Sequence, residues 1–164
     1  MGYKIKSFGF KNGYTSIEIF LVVGVLVLLG AVAFIAINPE QKIDLAQDET
    51  RREDAYALLN AFFDYSEKHE GAYIPGVQAN GDVHMIATQT SPDCIINSCN
   101  VDYCTDFSAL ISEGFLVTMP FDPDGSGLYS PAVGATGYTL SVSRNGNVTV
   151  VACGAEEDII SIKR

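Results

Sequence analysis

Lys11-Asn12-Gly13-Tyr14-Thr15-Ser16-Ile17-Glu18, running directly into the apolar stretch Ile19–Ile37, decides how the rest of the chain is read. Ile19–Ile37 carries no charge. As a helix rising roughly 1.5 Å per residue it is about 28 Å long, close to a bilayer core of roughly 30 Å. The apolar region of a secretory signal runs only about 7–15 residues. No other part of the chain is apolar enough to surround such a helix on all sides, so a membrane span is expected rather than a buried core helix. Glu18 stands at its mouth. An ionisable group there is costly in lipid, which marks it for a function and a partner.

The flanking charges orient the segment. Lys4, Lys6 and Lys11 precede it, and Glu40, Asp44, Asp48 and Glu49 follow it. The positive-inside rule places the N-terminus in the cytoplasm and the remainder outside. Residues 1–13 are short, basic and without an apolar core, and read as a processed leader. The 164 residues have a formal net charge of −10, and loss of 1–13 removes three lysines and no acid. Such a head does not bind nucleic acid through bulk electrostatics; it suits cations and solubility. The mean hydropathy of +0.18 conceals this division, because the apolar weight lies in one block.

Past Asn38-Pro39, where a kink or an unwound turn is expected, the helix continues in a different character. Asp48 with Arg51 and Arg52, and Glu49 with Arg52, are spaced for pairing that supports a helix. Ala55, Leu58, Leu59, Phe62, Tyr65 and His69 then repeat at helical spacing and require a partner surface. Lys68, His69 and Gly71 suit its end. Beyond it, 72–104 reads as a long excursion with a short strand at Val83–Ala87. Thr105–Glu113 reads as a short helix capped by Thr105 or Asp106 and closed by Gly114. Phe121–Gly137 reads as a loop. Gly137–Ser143 and Asn147–Ala152 flank Asn145-Gly146 and predict a hairpin. Residues 156–164 read as an edge strand or a tail. The expected class is α+β, a long N-terminal helix packed on a small C-terminal antiparallel sheet. The expected segments are 1–13, 14–38 (apolar half-helix), 39–70 (amphipathic half-helix) and 71–164 (extracytoplasmic head).

Cys94, Cys99, Cys104 and Cys153 are an even set in an exported domain and predict two disulfides, with three pairings open. Their spacing lacks a zinc knuckle. A bond from the cluster to Cys153 would staple the excursion to the hairpin. Asp122-Pro123-Asp124-Gly125-Ser126-Gly127 matches the first six positions of a calcium loop, but Val133 stands where the bidentate glutamate belongs. Asp122, Asp124 and Ser126 are therefore candidate calcium ligands beside the plainer reading of a turn. No other cofactor is expected. His69 and His84 are isolated, and no nucleophile elbow, zincin helix or phosphate loop occurs, so no enzyme activity is expected.

Gly13-Tyr14-Thr15-Ser16-Ile17-Glu18 followed by Phe20-Leu21-Val22-Val23-Gly24-Val25-Leu26 resembles the type III signal of the type IV pilin superfamily, which includes the pseudopilins of type II secretion. Tyr14 replaces the usual Phe and Ser16 the usual Leu, and the helix proline of the family commonly lies four residues earlier than Pro39. The resemblance implies a pilin-like fold. It implies cleavage after Gly13 by a membrane prepilin peptidase, N-methylation of Tyr14, and assembly into a helical homo-oligomeric filament by membrane-bound pilus or secretion machinery. The precursor would be a single-pass protein of the cytoplasmic membrane and the mature form part of an extracellular or periplasmic filament. Glu18 would pair with the amino group of Tyr14 in a neighbouring subunit. The major pseudopilins bind calcium in a loop just before the terminal strands, where Asp122–Gly127 lies. The alternatives are a pseudopilin of type II secretion and, from another class, a monomeric membrane-anchored binding protein.

Overall fold

The computed structural model describes residues 13–37, 39–89, 99–123, 127–155 and 159–164, with side chains described outside 35–41. The chain forms two compact units, Met1–Glu40 and Gln41–Arg164.

The first unit carries helix α1, Ser16–Ile37. Thr15 sits at its start, and its Oγ1 accepts the N–H of Glu18 at 3.4 Å. Thr15-Ser16-Ile17-Glu18 is thus a capping-box sequence, with Glu18 near the positive end of the helix dipole. The helix is apolar all round: Phe20, Leu21, Val32 and Phe34 are each about two-thirds or more exposed. Among the described residues, one helix is long and apolar enough to cross a membrane, the span Ser16–Phe34 with mean hydropathy 2.8 and none of it buried.

Helix α2 spans Pro39–Lys68. Asn38 lies outside the described residues, and the expected interruption falls there. Proline is well placed at a helix start, where its missing N–H would have no intrahelical partner. The face of α2 containing Ala55, Leu58, Leu59, Phe62 and Tyr65 is buried. It meets a five-stranded sheet formed by β1 (Val83–Ala87), β2 (Tyr103–Asp106), β3 (Ala135–Val142), β4 (Val148–Ala152) and β5 (Ser161–Lys163). The strand order is β2-β1-β3-β4-β5. Phe62 is the hub of the packing, with ring centroids 5.5 Å from Tyr73 and 6.4 Å from Phe107. Ile86, Tyr138, Leu140 and Val150 join this core, while Met85, Ala87 and Ala135 turn to the other face and pack with Tyr129. Both faces of the central strands are therefore covered, by opposite members of the period-two alternation.

The β3–β4 hairpin is present, with Gly146 N–H donating to Ser143 O at 2.9 Å, and β5 pairs with β4 along the edge. Three expectations are corrected. The sheet is mixed, because β1 and β2 run parallel, with His84 opposite Tyr103 and Ile86 opposite Thr105. A parallel pair needs a long crossover, and residues 88–102 supply it. The helix expected over Thr105–Glu113 shrinks to α3, Ala109–Ser112. Thr105 and Asp106 belong to β2, and Phe107 N–H donates to Ala87 O at 2.8 Å. Sheet pairing overrides the helical pattern there. Asp106 does form a local cap-like bond, its Oδ1 accepting Ser108 N–H at 2.8 Å. The loop expected to Gly137 ends two residues earlier, where β3 begins.

Cys99 is bonded to Cys153, their Cα atoms 5.4 Å apart across 54 residues of sequence. The bond ties the segment before β2 to the end of β4. Closing a loop of this length constrains the unfolded chain by about 4 kcal/mol in the loop-entropy treatment. Cys99→Ser/Cys153→Ser should lower the unfolding free energy by about 2–5 kcal/mol, measured by denaturant titration followed by circular dichroism.

Candidate functional site

Gly13, Tyr14 and Glu18 are all exposed at the start of α1. A side chain at Gly13 would meet no atom within 4 Å. Tyr14 is 78% exposed, and it lines one shallow depression with Glu18, Ile19 and Val22. The arrangement presents a carboxylate and a short approach segment on a helix whose described side chains are exposed. Such a carboxylate can accept a cation or hydrogen-bond donors from another molecule.

The second constellation lies in the Gln41–Arg164 unit. Arg51 is completely buried. Its Nε donates to Oδ1 and Oδ2 of Asp122 at 3.2 and 3.0 Å, and one terminal nitrogen donates to Oδ1 at 2.8 Å. The other terminal nitrogen donates to Asp48 Oδ1 at 2.8 Å. Burial by itself would lower the Arg51 pKa, but the bonds to Asp122 and then Asp48 outweigh it and raise the value above its ordinary range. Beside this cluster, the Tyr138 hydroxyl donates to Asp54 Oδ2 at 2.8 Å. Burial first, then the bond from Asp54, pushes the phenol up. Burial also raises the Asp54 pKa, partly opposed by the Tyr138 bond.

Two glycines make room for Asp122. A Cβ on Gly154 would lie 2.6 Å from Asp122 Oδ2, and one on Gly137, at φ +87, 2.7 Å from Asp122 Cβ. The Asp122 carboxylate is thus bonded to Arg51. Asp124 and Ser126, the other two candidate calcium ligands, lie outside the described residues. Among the described residues, no group of three or more His, Cys, Asp or Glu is arranged to hold a metal ion.

The pairing of Arg51 with Asp48 at i,i+3 was legible in the sequence, and the burial of Arg51 was not. The signal was available: Asp48 and Arg51 extend the Ala55–Leu58–Phe62 stripe backward at the same helical spacing, so they had to turn inward.

Of the four cysteines, Cys99 and Cys153 are bonded to each other, Cys104 is also disulfide-bonded, and Cys94 lies outside the described residues. The histidines are structural in their contacts. The His69 ring stacks on Tyr65 at 4.2 Å, and its Nε2 lies 2.9 Å from Glu113. Lys68 reaches the same carboxylate at 3.0 Å, and these bonds, Lys68 first, hold the Glu113 pKa below its ordinary value. His84 is 2% exposed. Its Nδ1 lies 2.9 Å from Thr105 Oγ1 across the parallel pair, while Nε2 is buried with no partner among the described residues.

No protein-family model, curated protein or solved structure matches this chain.

Two measurements test these assignments. Arg51→Met leaves the Asp122 charge buried and should cost about 3–5 kcal/mol of stability. Arg51→Met/Asp122→Asn removes that charge and should cost less, so the order of the two denaturation midpoints is the check. Burial lowers the His84 pKa from its ordinary 6.5. The unfolded chain therefore takes up this proton at higher pH than the folded one. The contribution of His84 is complete above pH 6.5 and diminishes as pH falls below it. Unfolding free energies between pH 5 and 7 should show a slope that His84→Gln flattens.

Proposed function

We propose that this chain is a prepilin, whose mature form polymerises through α1 into a type IV pilus or a pilus-like fibre. The observation that carries the reading is a helix of 22 residues, apolar on every side, with one acid in its first turn. Such a helix is stable only when its sides are covered by lipid or by other apolar helices. A filament of packed copies supplies the second cover after lipid supplies the first. The motif Gly13-Tyr14-Thr15-Ser16-Ile17-Glu18 supports the reading through its resemblance to the type III signal.

In this scheme the chain crosses the cytoplasmic membrane once, with its N-terminus inside. A peptidase acts between Gly13 and Tyr14, and the exposure of that segment is compatible with its access. The released amino group on Tyr14 of one subunit pairs with Glu18 of the next. An unpaired carboxylate in hydrocarbon is unfavourable, so the pair sets the axial register of the copies. The rest of the chain forms a disulfide-stapled head, and its role is structural rather than catalytic. The Glu18 side chain also stands in the first turn beside Thr15, where a carboxylate suits the helix terminus without any partner. The two roles separate in experiment.

Glu18→Gln retains a polar first turn without the charge. It should leave α1 helical and cleavage intact but reduce sheared surface filaments at least tenfold by quantitative immunoblot. Gly13→Leu should accumulate unprocessed chain as a slower band. Normal filament yield from Glu18→Gln would show that the acid serves the helix end alone. An intact N-terminus recovered from wild-type cells would favour a monomeric anchored protein.

A further inference from the structure

Among the described residues, the only buried side-chain polar atom without a hydrogen-bond partner is His84 Nε2. The ring is held in place by β2. Nδ1 lies 2.9 Å from Thr105 Oγ1, and the ring stacks on Tyr103 with centroids 5.4 Å apart. From β3 its register partner is Leu140. The buried turn Ile74–Val77 closes over Thr105, where a Cβ on Gly76 would stand 3.5 Å from Cγ2. The carboxylates that act on the ring are Asp82 and Asp102, which directly precede β1 and β2. Asp102 Oδ2 already accepts Val83 N–H at 2.8 Å, and the Asp82 carboxylate accepts from the Asn80 amide. Burial outweighs both acids and holds the His84 pKa below its ordinary value.

The Thr105 hydroxyl can serve either tautomer of the neutral ring. The imidazolium has a donor at each nitrogen and needs two acceptors, and the closed site offers one. A proton taken from solvent therefore places an N–H and a unit charge where no acceptor stands, which is costly in a buried position. The ring reaches water by leaving Thr105 and Tyr103, and both belong to β2. In the order β2-β1-β3-β4-β5, β1 alone among the described strands bonds the β2 ladder. We infer that protonation of His84 parts β2 from β1 over Asp102–Thr105 while the rest of the sheet stays closed. The pair is a pH-sensitive latch at the end of the 88–102 crossover. Phe107 is its pivot, with its side chain fully buried in the core and its N–H donating to Ala87 O at 2.8 Å. The Cys99–Cys153 bond tethers the segment before β2, and Cys104 within β2 is itself disulfide-bonded. The strand is therefore retained when it opens, and it closes again when the proton leaves. The latch belongs to the Gln41–Arg164 unit and does not depend on how α1 assembles.

Amide exchange of the full-length protein in neutral detergent micelles, read residue by residue by NMR at pH 7 and pH 5, tests the latch. The Asp102 amide, which donates to Val83 O at 2.8 Å, and the Val83 amide, which donates to Asp102 Oδ2, report opening. After correction for intrinsic exchange, their protection should fall on the order of tenfold from pH 7 to pH 5, because opening takes up one proton. The amides of Phe107, Ala152 and Cys153, bonded to Ala87, Ile160 and Gly137, should keep their protection. His84→Gln should abolish the loss at Asp102 and Val83. The ring gives a second reading that needs no variant: at pH 5 the closed state should still show the NMR signals of a neutral His84 imidazole. Equal loss at all five amides overturns the inference, because the whole head then opens together. Unchanged protection at Asp102 and Val83 overturns it too, as does a loss that persists in His84→Gln. A His84 ring protonated at pH 5 with protection intact shows that the closed site accepts the charge, and that also ends the proposal.

Discussion

A guanidinium with no access to water holds the head together. Arg51 lies on the buried stripe of α2, one turn before the first apolar residue of that stripe, and reaches Asp122 in the segment that leads into β3. Asp122 N–H in turn donates to Thr136 O at 2.8 Å, so the carboxylate is anchored to the sheet. The pair joins three parts of the fold, and its net contribution is smaller than the cost of breaking it. The ions lose their hydration and recover it through four bonds from Arg51, three to Asp122 and one to Asp48, whereas removal of one partner leaves the other stranded. The small residues around it follow from that constraint. Gly137 and Gly154 stand where any side chain would displace Asp122.

The same pair bears on the metal chemistry that the Asp122–Gly127 pattern offered. A calcium loop uses its first acid as a ligand. In this fold that acid already faces a fixed positive charge. Asp122-Pro123 lies between α3 and β3 in the chain, and Gln47 Nε2 of α2 donates to Pro123 O at 3.3 Å.

The two units obey opposite rules. In the Gln41–Arg164 unit apolar clusters cover both sheet faces, and Arg51, Asp48 and Asp122 are buried beside them. Helix α1 has every described side chain outward and no acid beyond Glu18. In the proposed filament this helix is covered first by lipid and then by copies of itself. Within that proposal the head carries the distinguishing surface, because α1 alone is apolar on all sides and specifies little beyond register.

Local pattern determined much of this protein from sequence. The chargeless run at Ile19–Ile37, the stripe Ala55–Leu58–Phe62, and Asn145-Gly146 between alternating strands each act through neighbours a few residues apart, so helix and hairpin were legible. Strand β1 was found at Val83–Ala87 for the same reason. The parallel pairing of β1 with β2, the choice of Cys153 by Cys99, and the union of Arg51 with Asp122 were decided only by the tertiary structure. Those partners lie 19, 54 and 71 residues apart. What selects them is the closing of one core around Phe62, and no periodicity along the chain encodes which distant residues that core brings together. Thr105 shows the limit most directly: its local pattern favours a helix, and the hydrogen-bonding groups of β1 made it a strand.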